Sequence, residues 1–236
     1  MFDGGQVDGL LRMAGVRRSK SLARTAFNSK SFRVPAEARN RIVDYHNRQI
    51  VFSEGEKASD ILFLQSGRVK LAATSPQGKE AIVRLVAPGD FFGYQVLDGY
   101  RTRLATATAM TESSVLRIDG AVMFRLLRED PVFSAAFVGH LVQQLVSVEE
   151  TLVDHLFNSS EKRLARVLLL LAHFDQKGQP GTLVVPSVTH EVLAQMVGTT
   201  RARVTYFMTK FRKMGFVDYQ GGLRVHESLF NLVLRD

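Results

Sequence analysis

The chain contains no cysteine among its 236 residues. This absence excludes disulfide bonds, iron–sulfur clusters held by thiolates and cysteine-rich zinc sites. The histidines are scattered, at positions 46, 140, 155, 173, 190 and 226, without the short spacing that metal ligands show. We therefore expect no metal and no cofactor, with a single histidine as an axial haem ligand kept open as an alternative.

Long hydrophobic runs are also missing. No uninterrupted apolar run reaches the ~18 to 20 residues of a membrane span, and the stretch VLLLLA at 167–172 is short and follows EKRLAR. The N-terminus lacks an apolar segment followed by a cleavage site. The sequence offers no nucleophile–base pair, phosphate loop or catalytic motif. We expect a cytoplasmic protein that is not an enzyme and has no membrane partner.

Positive charge is concentrated at the two ends of the chain, whose formal net charge is +8. Residues 157–236 carry 11 Lys/Arg against 6 Asp/Glu, residues 1–40 carry 8 against 3, and residues 41–156 carry 12 against 14. A basic C-terminal third beside a near-neutral body favours a polyanionic partner at that end. A solvated basic surface would give the same balance, so charge alone leaves both interpretations open.

Short apolar runs between glycine turns fill residues 48–119. The runs are IVFSEGE, ILFLQSGRVKLAAT, EAIVRLVAPGDFFG, RLATATAM and SSVLRID. Turns about 10 to 12 residues apart are typical of an all-β sandwich or jelly roll. We predict an N-terminal β-roll or jelly roll, with helices after it, in a chain of the α+β class.

Helical spacing replaces this pattern after residue 120. A short helix, AVMFRLLRED, stops before Pro131. The next helix carries apolar residues alternately three and four positions apart over two heptads. This seam consists of Val138, Leu141, Leu145, Val148 and Leu152. It favours a helix that pairs with a copy of itself in a homodimer, although a helix that packs on its own domain would show the same spacing.

The stretch NSSEKRLARVLLLLAHF predicts a further helix immediately afterwards. Asn158 followed by Glu161 resembles a capping box, so the preceding helix ends near Phe157. The new helix is apolar on most sides and is expected in a core. The patterns predict a basic N-terminal extension (1–44), a sensor-like β-roll (45–130), a dimerisation helix (131–157) and a C-terminal domain (158–236).

The most informative pattern lies in residues 182–225. Thr189 is a good N-cap for a helix that ends at Val197, Gly198 ends that helix, and Thr199 or Thr200 caps the next. The predicted inner faces consist of Val192, Leu193, Met196 and Val197, then Val204, Phe207, Met208, Phe211 and Met214. Two short helices around a glycine turn predict a helix-turn-helix. The following FVDYQGGLRV predicts a β-hairpin turning at Gly221 and Gly222, which makes the motif a winged helix.

The outer face of the second helix is polar and basic. It consists of Thr200, Arg201, Ala202, Arg203, Thr205, Tyr206, Lys210 and Arg212. N-terminal positions of such a helix reach base edges in the major groove, where arginine binds guanine. Any amphipathic helix has a solvated face, but the glycine turn, the hairpin and the charge together favour a double-stranded DNA partner.

These motifs resemble the Crp/Fnr family of bacterial transcription regulators. THEVLAQMVGTTRARVTYFMTKFRKMGF resembles the family signature T-x-x-x-[IL]-A-x-x-[VL]-G-x-[ST]-R-x-x-V, and G-x-V-K-L at 67–71 and P-G-D-F-F-G at 88–93 resemble its β-roll. The resemblance covers about residues 45–236. It implies a homodimer with a cyclic-nucleotide-binding-like β-roll, a dimerisation helix and a winged helix that binds palindromic operators and contacts RNA polymerase.

The resemblance also implies roles for single residues. Base reading falls to Arg201, Ala202, Thr205 and Tyr206, and phosphate contacts fall to Thr189, His190, Thr200, Arg203 and Lys210. Many members carry a glutamate where this chain has Ala202, and some carry an arginine where it has Tyr206. The operator sequence of other members therefore does not carry over.

The effector pocket implied by the resemblance departs from its pattern. Family members that bind cyclic nucleotides use a glutamate for the ribose, an arginine for the phosphate and a neighbouring hydroxyl. The corresponding residues here are Gly93, Tyr94, Arg103, Leu104 and Ala105, with Val148 and Glu149 near the base. Because several of the polar groups that would bind the nucleotide are missing together, we expect no control by cyclic AMP. Arg103 is expected either to form a structural ion pair or to bind another acid.

Two alternatives stay open at this point. In the first, the β-roll senses a cyclic nucleotide or another small acid and switches DNA binding allosterically. In the second, a small-molecule sensor uses the winged helix for protein contact. The basic C-terminal third argues against the second alternative.

Overall fold

The computed structural model describes residues 41–99, 101–173, 182–185, 188–219, 222–230 and 232, which are called the described residues below. They fold into two compact units that divide within one long helix, after Val146. Most of the predicted N-terminal extension lies outside the described residues, and so does Gly221 of the predicted wing turn.

Eight strands form two four-stranded antiparallel sheets in the described part of the first unit. They are β1 (Ile42–Tyr45), β2 (Ile50–Phe52), β3 (Asp60–Ser66), β4 (Val69–Thr74), β5 (Glu80–Val86), β6 (Phe91–Phe92), β7 (Thr106–Ala109) and β8 (Ser113–Asp119). The sheet orders are β1-β8-β3-β6 and β2-β7-β4-β5. The predicted β-roll is confirmed. Strand β1 was not predicted, because its Ile42 and Val43 are both exposed and do not alternate with buried residues.

The central strand β3 contributes to two hydrophobic clusters. Its alternate side chains point to opposite faces of the sheet, so Leu62 and Leu64 join the cluster that includes Phe52 and Phe92. Ile61 and Phe63 join the cluster beneath the helices. A strand buried on both faces reads as a continuous apolar run, as ILFL does here.

Five helices follow in the described part of the chain. They are α1 (Gly120–Glu129), α2 (Pro131–Phe157), α3 (Ser160–His173), α4 (His190–Val197) and α5 (Arg201–Lys213). Helix α1 ends before Pro131, as predicted. Strands β9 (Thr182–Val184), β10 (Val217–Asp218) and β11 (Arg224–His226) form a sheet of order β10-β11-β9. The antiparallel pair β10 and β11 confirms the predicted hairpin, whereas β9 was not predicted.

Helix α3 begins one residue later than the predicted capping box requires. The hydroxyl of Ser159 accepts a hydrogen bond from the Lys162 N–H at 3.3 Å, so Ser159 is the cap. Asn158 instead continues the preceding helix, and its N–H donates to the Asp154 carbonyl at 3.0 Å. Our assignment of the cap to Asn158 was wrong by one residue. The expected core position of α3 is confirmed by the burial of Leu164, Ala165, Leu168 and Ala172.

The first turns of α2 pack on the β-roll. Phe133 and Phe137 are buried there, and Leu141 packs partly against the same cluster. Leu141 therefore does not share the solvent-facing seam predicted for it. The other four seam residues are more than half exposed: Val138, Leu145, Val148 and Leu152. Val142 and Leu156 are further apolar residues of α2 that are more than half exposed.

Helix α2 is also long and apolar enough to cross a membrane, judged by length and composition alone. Our expectation of no such segment rested on uninterrupted apolar runs. Polar residues such as Gln143, Gln144 and Ser147 interrupt α2, yet few of its residues are charged. Length and composition do not identify what covers the exposed face.

His140 is the buried histidine of α2. Its Nε2 accepts the Phe91 N–H at 3.4 Å, and its ring packs edge-on against the Phe91 ring. Burial lowers the pKa of His140 below its ordinary value, with Asp90 raising it and Arg84 lowering it. The imidazole of His140 therefore binds a proton less readily in the folded chain than in the unfolded chain.

We expect the β-roll to lose stability through His140 as the pH falls below about 6.5, the ordinary pKa of histidine. The loss is at most about 1.4 kcal/mol per pH unit, because a single proton is involved. Urea denaturation midpoints between pH 7.5 and 5 should fall less steeply for His140→Gln than for the wild type. The same change at exposed His155 is the control, and equal slopes for all three proteins would contradict the prediction.

Candidate nucleic-acid interface and effector pocket

The helix-turn-helix is capped at both helices as the sequence predicts. The Thr189 hydroxyl accepts the Val192 N–H at 3.2 Å, and the Thr200 hydroxyl accepts the Arg203 N–H at 3.3 Å. Between them Gly198 adopts a left-handed conformation with φ of 69°, which glycine adopts without steric cost. Of the two threonines considered for the second cap, the structure selects Thr200.

The inner faces of α4 and α5 form a small core. Their buried residues are Leu193, Ala194, Val197, Val204, Phe207, Met208 and Phe211. Val192 and Met196 are half-buried, which is less than predicted. Met214 is exposed and is the C-cap residue that follows Lys213, the last residue of α5. Its assignment to the apolar stripe was therefore wrong.

The outer face of α5 presents most of the predicted DNA-contacting residues to solvent. Arg201, Ala202, Arg203, Thr205, Tyr206 and Arg212 are all exposed. This face includes two further exposed residues that the sequence analysis left out, Thr209 and Lys213. Helical spacing alone could have found them, because they lie three to four positions beyond Thr205, Tyr206 and Thr209.

Thr205 is tied to both helices of the motif. Its Oγ1 donates to the Arg201 carbonyl at 3.0 Å and lies 3.0 Å from His190 Nδ1. Since the only hydroxyl hydrogen is given to the carbonyl, His190 donates to Thr205 through Nδ1. This bond joins the N-terminus of α4 to the exposed face of α5 and orients the imidazole so that its Nε2 is left for another partner.

Two predicted phosphate contacts have partners within the protein. Lys210 Nζ lies 2.8 Å from Glu161 Oε1 and 3.0 Å from Glu161 Oε2, and this carboxylate raises the pKa of Lys210. The Arg203 guanidinium lies over the Phe207 ring, 6.0 Å from its centroid. Arg203 stays exposed and able to reach a phosphate, whereas Lys210 would have to leave Glu161.

The junction between α2 and the helix-turn-helix depends on Arg163. Its Nη1 donates to the Asn158 carbonyl at 2.9 Å, and its Nε donates to the Val197 carbonyl at 3.1 Å. One side chain thus satisfies carbonyls at the C-terminal ends of two helices. An ion pair between Arg166 and Asp154 supports the same junction. No local sequence pattern predicts these contacts of Arg163 and Arg166.

A cleft of about 460 Å³ opens beside this junction. Its walls come from the α2–α3 turn, the α4–α5 turn and one side of α5. The lining residues include Ser159, Ser160, Arg163, Thr199 and Arg203. Burial, with Arg203 nearby, lowers the pKa of Arg163, which remains charged at neutral pH because arginine titrates far above that range.

In the β-roll, Arg103 is buried and forms an ion pair with Asp60. Its Nη1 also donates to the Gly93 carbonyl at 3.1 Å, and its guanidinium lies 4.4 Å from the centroid of the Phe52 ring. The other carboxylate oxygen of Asp60 accepts from Arg117 Nε at 2.6 Å. Arg103 therefore faces a neighbouring carboxylate, which is one of the two alternatives that the sequence left open.

The loop around Arg103 keeps its shape through Gly93. Gly93 has a φ of 70°, and a Cβ at this position would lie 2.6 Å from Arg103 Nη1. Tyr94 begins a 3-10 helix and packs partly against the hydrophobic cluster beneath the helices. Leu104 is exposed, and Ala105 packs against the cluster that includes Phe52 and Phe92. Tyr94 lacks the carboxylate, and Leu104 lacks the hydroxyl, that the family resemblance implies at these two positions in members that bind cyclic nucleotides.

Val148 and Glu149 belong to the second unit and are exposed on α2. Three or more potential metal ligands do not cluster anywhere in residues 41–173 or the later described ranges. The main residue that sequence reasoning missed in the β-roll is Asp60. Its position 43 residues before Arg103 carries no local pattern that would pair the two.

Two family models match the chain. A cyclic nucleotide-binding domain matches residues 42–130, and a Crp-like helix-turn-helix domain matches residues 162–227. The two matches occur in the order that the Crp/Fnr resemblance predicts and leave the residues of α2 between them.

Curated relatives are transcription regulators. The chain is 28% identical over 180 residues to the CRP-like cAMP-activated global transcriptional regulator of Mycobacterium tuberculosis, covering 76% of this chain and 80% of that protein. It is 27% identical over 173 residues to the transcriptional regulator LdrP of Thermus thermophilus, covering 73% and 85%. The alignments thus span most of each protein.

Solved structures share the fold. A CRP/FNR-family transcriptional regulator from Thermus thermophilus superposes with a TM-score of 0.70 at 23% identity, covering 83% of this chain and 98% of that one. The c-di-GMP-responsive regulator CLP of Xanthomonas campestris gives 0.69 at 21% identity, covering 78% and 92%. With both domain models matched in order and relatives aligned across them, the chain belongs to the Crp/Fnr family of DNA-binding transcription regulators.

Proposed function

We propose that the protein works as a cytoplasmic homodimer that binds palindromic operators through α5 and is not controlled by cyclic AMP. The observation that carries the DNA-binding part is the capped helix-turn-helix with an exposed basic face on α5. Residues 45–130 act as the sensor-like β-roll, 131–157 as the dimerisation helix and 158–236 as the winged helix. RNA polymerase is the expected protein partner on the promoter.

The base-reading residues are proposed to be Arg201, Ala202, Thr205 and Tyr206. Arg201 is the first residue of α5 and is exposed there, where the N-terminal end of a recognition helix reaches base edges. Its guanidinium fits guanine O6 and N7 in bidentate fashion. Thr189, His190, Thr200 and Arg203 flank this point and are proposed to hold phosphates, with Lys210 joining them once it leaves Glu161.

The case for a homodimer rests on the exposed apolar surface of α2. Leu145 and Leu152 are 59% and 57% exposed, and Leu156 is 67% exposed. An apolar surface of this length costs free energy in water unless something covers it. A second α2 would cover it, since the spacing matches that of paired helices. Insertion of α2 into a membrane would leave Glu149, Glu150 and Asp154 in hydrocarbon at high cost.

The case against cyclic AMP rests on Arg103. The phosphate of a cyclic nucleotide would have to replace Asp60 as the partner of a buried guanidinium, and Asp60 also holds Arg117. The M. tuberculosis relative is named as cAMP-activated and the X. campestris neighbour as c-di-GMP-responsive. An effector-dependent sensor is therefore the second candidate function, and nucleotide titrations decide between the two.

Arg201→Ala should weaken binding to the selected operator by about 5- to 150-fold per half-site, the equivalent of about 1–3 kcal/mol for one bidentate base contact. Binding to unrelated duplex DNA should change far less, because a base contact contributes to specificity. Fluorescence anisotropy at several salt concentrations measures both affinities, which should fall steeply with salt.

Arg128→Ala is the matched control for Arg201→Ala, because it removes the same charge from an exposed site in the first unit. An equal loss on operator and unrelated DNA would make Arg201 a phosphate contact instead. Salt-insensitive binding to a protein, without affinity for DNA, would support the protein-contact alternative.

Leu152→Asp should raise the dimer dissociation constant at least about a hundredfold, because both copies would place a carboxylate in the apolar interface. Analytical ultracentrifugation at micromolar concentration should then show monomers. Ser147→Asp adds the same charge to an exposed position on the other side of α2 and should stay dimeric. A wild-type monomer, or a protein that sediments only with vesicles, would contradict the homodimer.

Asp60→Asn should destabilise the β-roll by about 3–5 kcal/mol, since it leaves two guanidiniums without their carboxylate. Chemical denaturation measures this loss, and Asp98→Asn, at an exposed carboxylate, is the control.

Calorimetry with the wild type should show no binding of cyclic AMP, cyclic GMP or cyclic di-GMP. Micromolar binding of cyclic AMP would show that Arg103 serves an effector, and a neutral Asp60→Asn would show that its carboxylate does not stabilise the β-roll.

A further inference from the structure

The exposed face of α5 carries hydroxyl side chains whose hydrogens are already used. Thr205 Oγ1 donates to the Arg201 carbonyl at 3.0 Å, and Thr209 Oγ1 donates to the Thr205 carbonyl at 2.9 Å. A threonine hydroxyl has one hydrogen to give. Neither threonine therefore has a donor left for a base.

Thr205 is restricted further by His190. The imidazole Nδ1 lies 3.0 Å from Thr205 Oγ1 and occupies one of its acceptor positions. With its donor and one lone pair engaged inside the protein, the hydroxyl has no hydrogen for guanine O6 or N7 or thymine O4, all of which are acceptors, and its second lone pair can accept only from adenine N6–H or cytosine N4–H. The γ-methyl is the remaining branch of this exposed side chain.

A neighbouring position on this face also presents a methyl group. Ala202 lies one helical turn before Thr205 and Tyr206 and presents only a methyl group. Hydrogen-bond donors next to these methyl groups come from the Arg201 guanidinium at the N-terminal edge and from the Tyr206 phenol. In the major groove, the partner of a protein methyl group is the 5-methyl of thymine.

We propose that α5 recognises thymine 5-methyl groups through Ala202 and the γ-methyl of Thr205, next to the guanine bound by Arg201. This inference rests on the proposed role of α5 in the major groove and names the base chemistry it recognises. The hydroxyl of Thr205 has a different task, which is to hold α4 to α5 through His190. Thr205 then contacts the base through its methyl group and not through its hydroxyl.

The test combines two protein variants with one change in the DNA. An operator is first selected from random duplexes with the full-length protein, and each thymine of a half-site is then replaced singly by deoxyuridine, which lacks only the 5-methyl. Thr205→Ser removes the γ-methyl and keeps the hydroxyl bonds, whereas Thr205→Val keeps the methyl and removes the hydroxyl. Both changes are small enough to leave the fold intact.

At one thymine, deoxyuridine should weaken binding of the wild type by about three- to fivefold. This ratio of affinities corresponds to the free energy gained by burying one methyl group. Thr205→Ser should lose the same factor on the thymine operator and become insensitive to deoxyuridine at that position. Thr205→Val loses the bond to His190 and should therefore weaken binding by a similar factor on every duplex, but it should remain as sensitive to deoxyuridine at that position as the wild type. A double-mutant cycle between residue and base measures this coupling directly.

The opposite pattern would overturn the proposal. If Thr205→Ser keeps the affinity of the wild type for the thymine operator, and deoxyuridine has no effect on either protein, the γ-methyl does not contact the base. A selected half-site without thymine beside the guanine would overturn it as well. If no sequence is enriched and binding is equal on all duplexes, the proposed operator binding itself fails, which is a distinct result.

Discussion

The buried carboxylate of Asp60 is the interaction on which the β-roll depends. It holds Arg103 and Arg117 at once, and Arg103 in turn holds the Gly93 carbonyl. One side chain therefore connects β3, β8, the segment before β7 and the loop after β6. An unpaired guanidinium in this position would cost several kcal/mol, so the three charges are stable only together.

The same contacts hold the shape of the loop around Arg103. Gly93 is required by its backbone conformation and by the guanidinium packed against it, whether or not a ligand is present. The glycine-rich loop therefore reports the geometry of the fold and not the identity of an effector. Tyr94 and Leu104 carry no carboxylate that could take the place of Asp60 beside Arg103.

The sequence could predict what local chemistry decides. Caps at Thr189 and Thr200 and the glycine turn between them depend on a few neighbouring residues, and the structure confirms the helix-turn-helix that they predict. The partner of Arg103 could not be predicted, because Asp60 meets it only through the pairing of distant strands. The position of Leu141 was wrong for the same reason: spacing identifies an apolar face but not which part the β-roll covers.

The helix-turn-helix shows how stability and recognition compete for the same atoms. Holding α4 to α5 uses the hydroxyl of Thr205 and one nitrogen of His190, and both would otherwise be free for DNA. The hydroxyl of Thr205 gives its hydrogen to the Arg201 carbonyl and accepts from His190 Nδ1, so it has no donor left on the exposed face of α5. In the proposed complex with DNA, the Arg201 guanidinium supplies the directional hydrogen bonds. Methyl groups then provide base discrimination, since apolar contact requires no free donor.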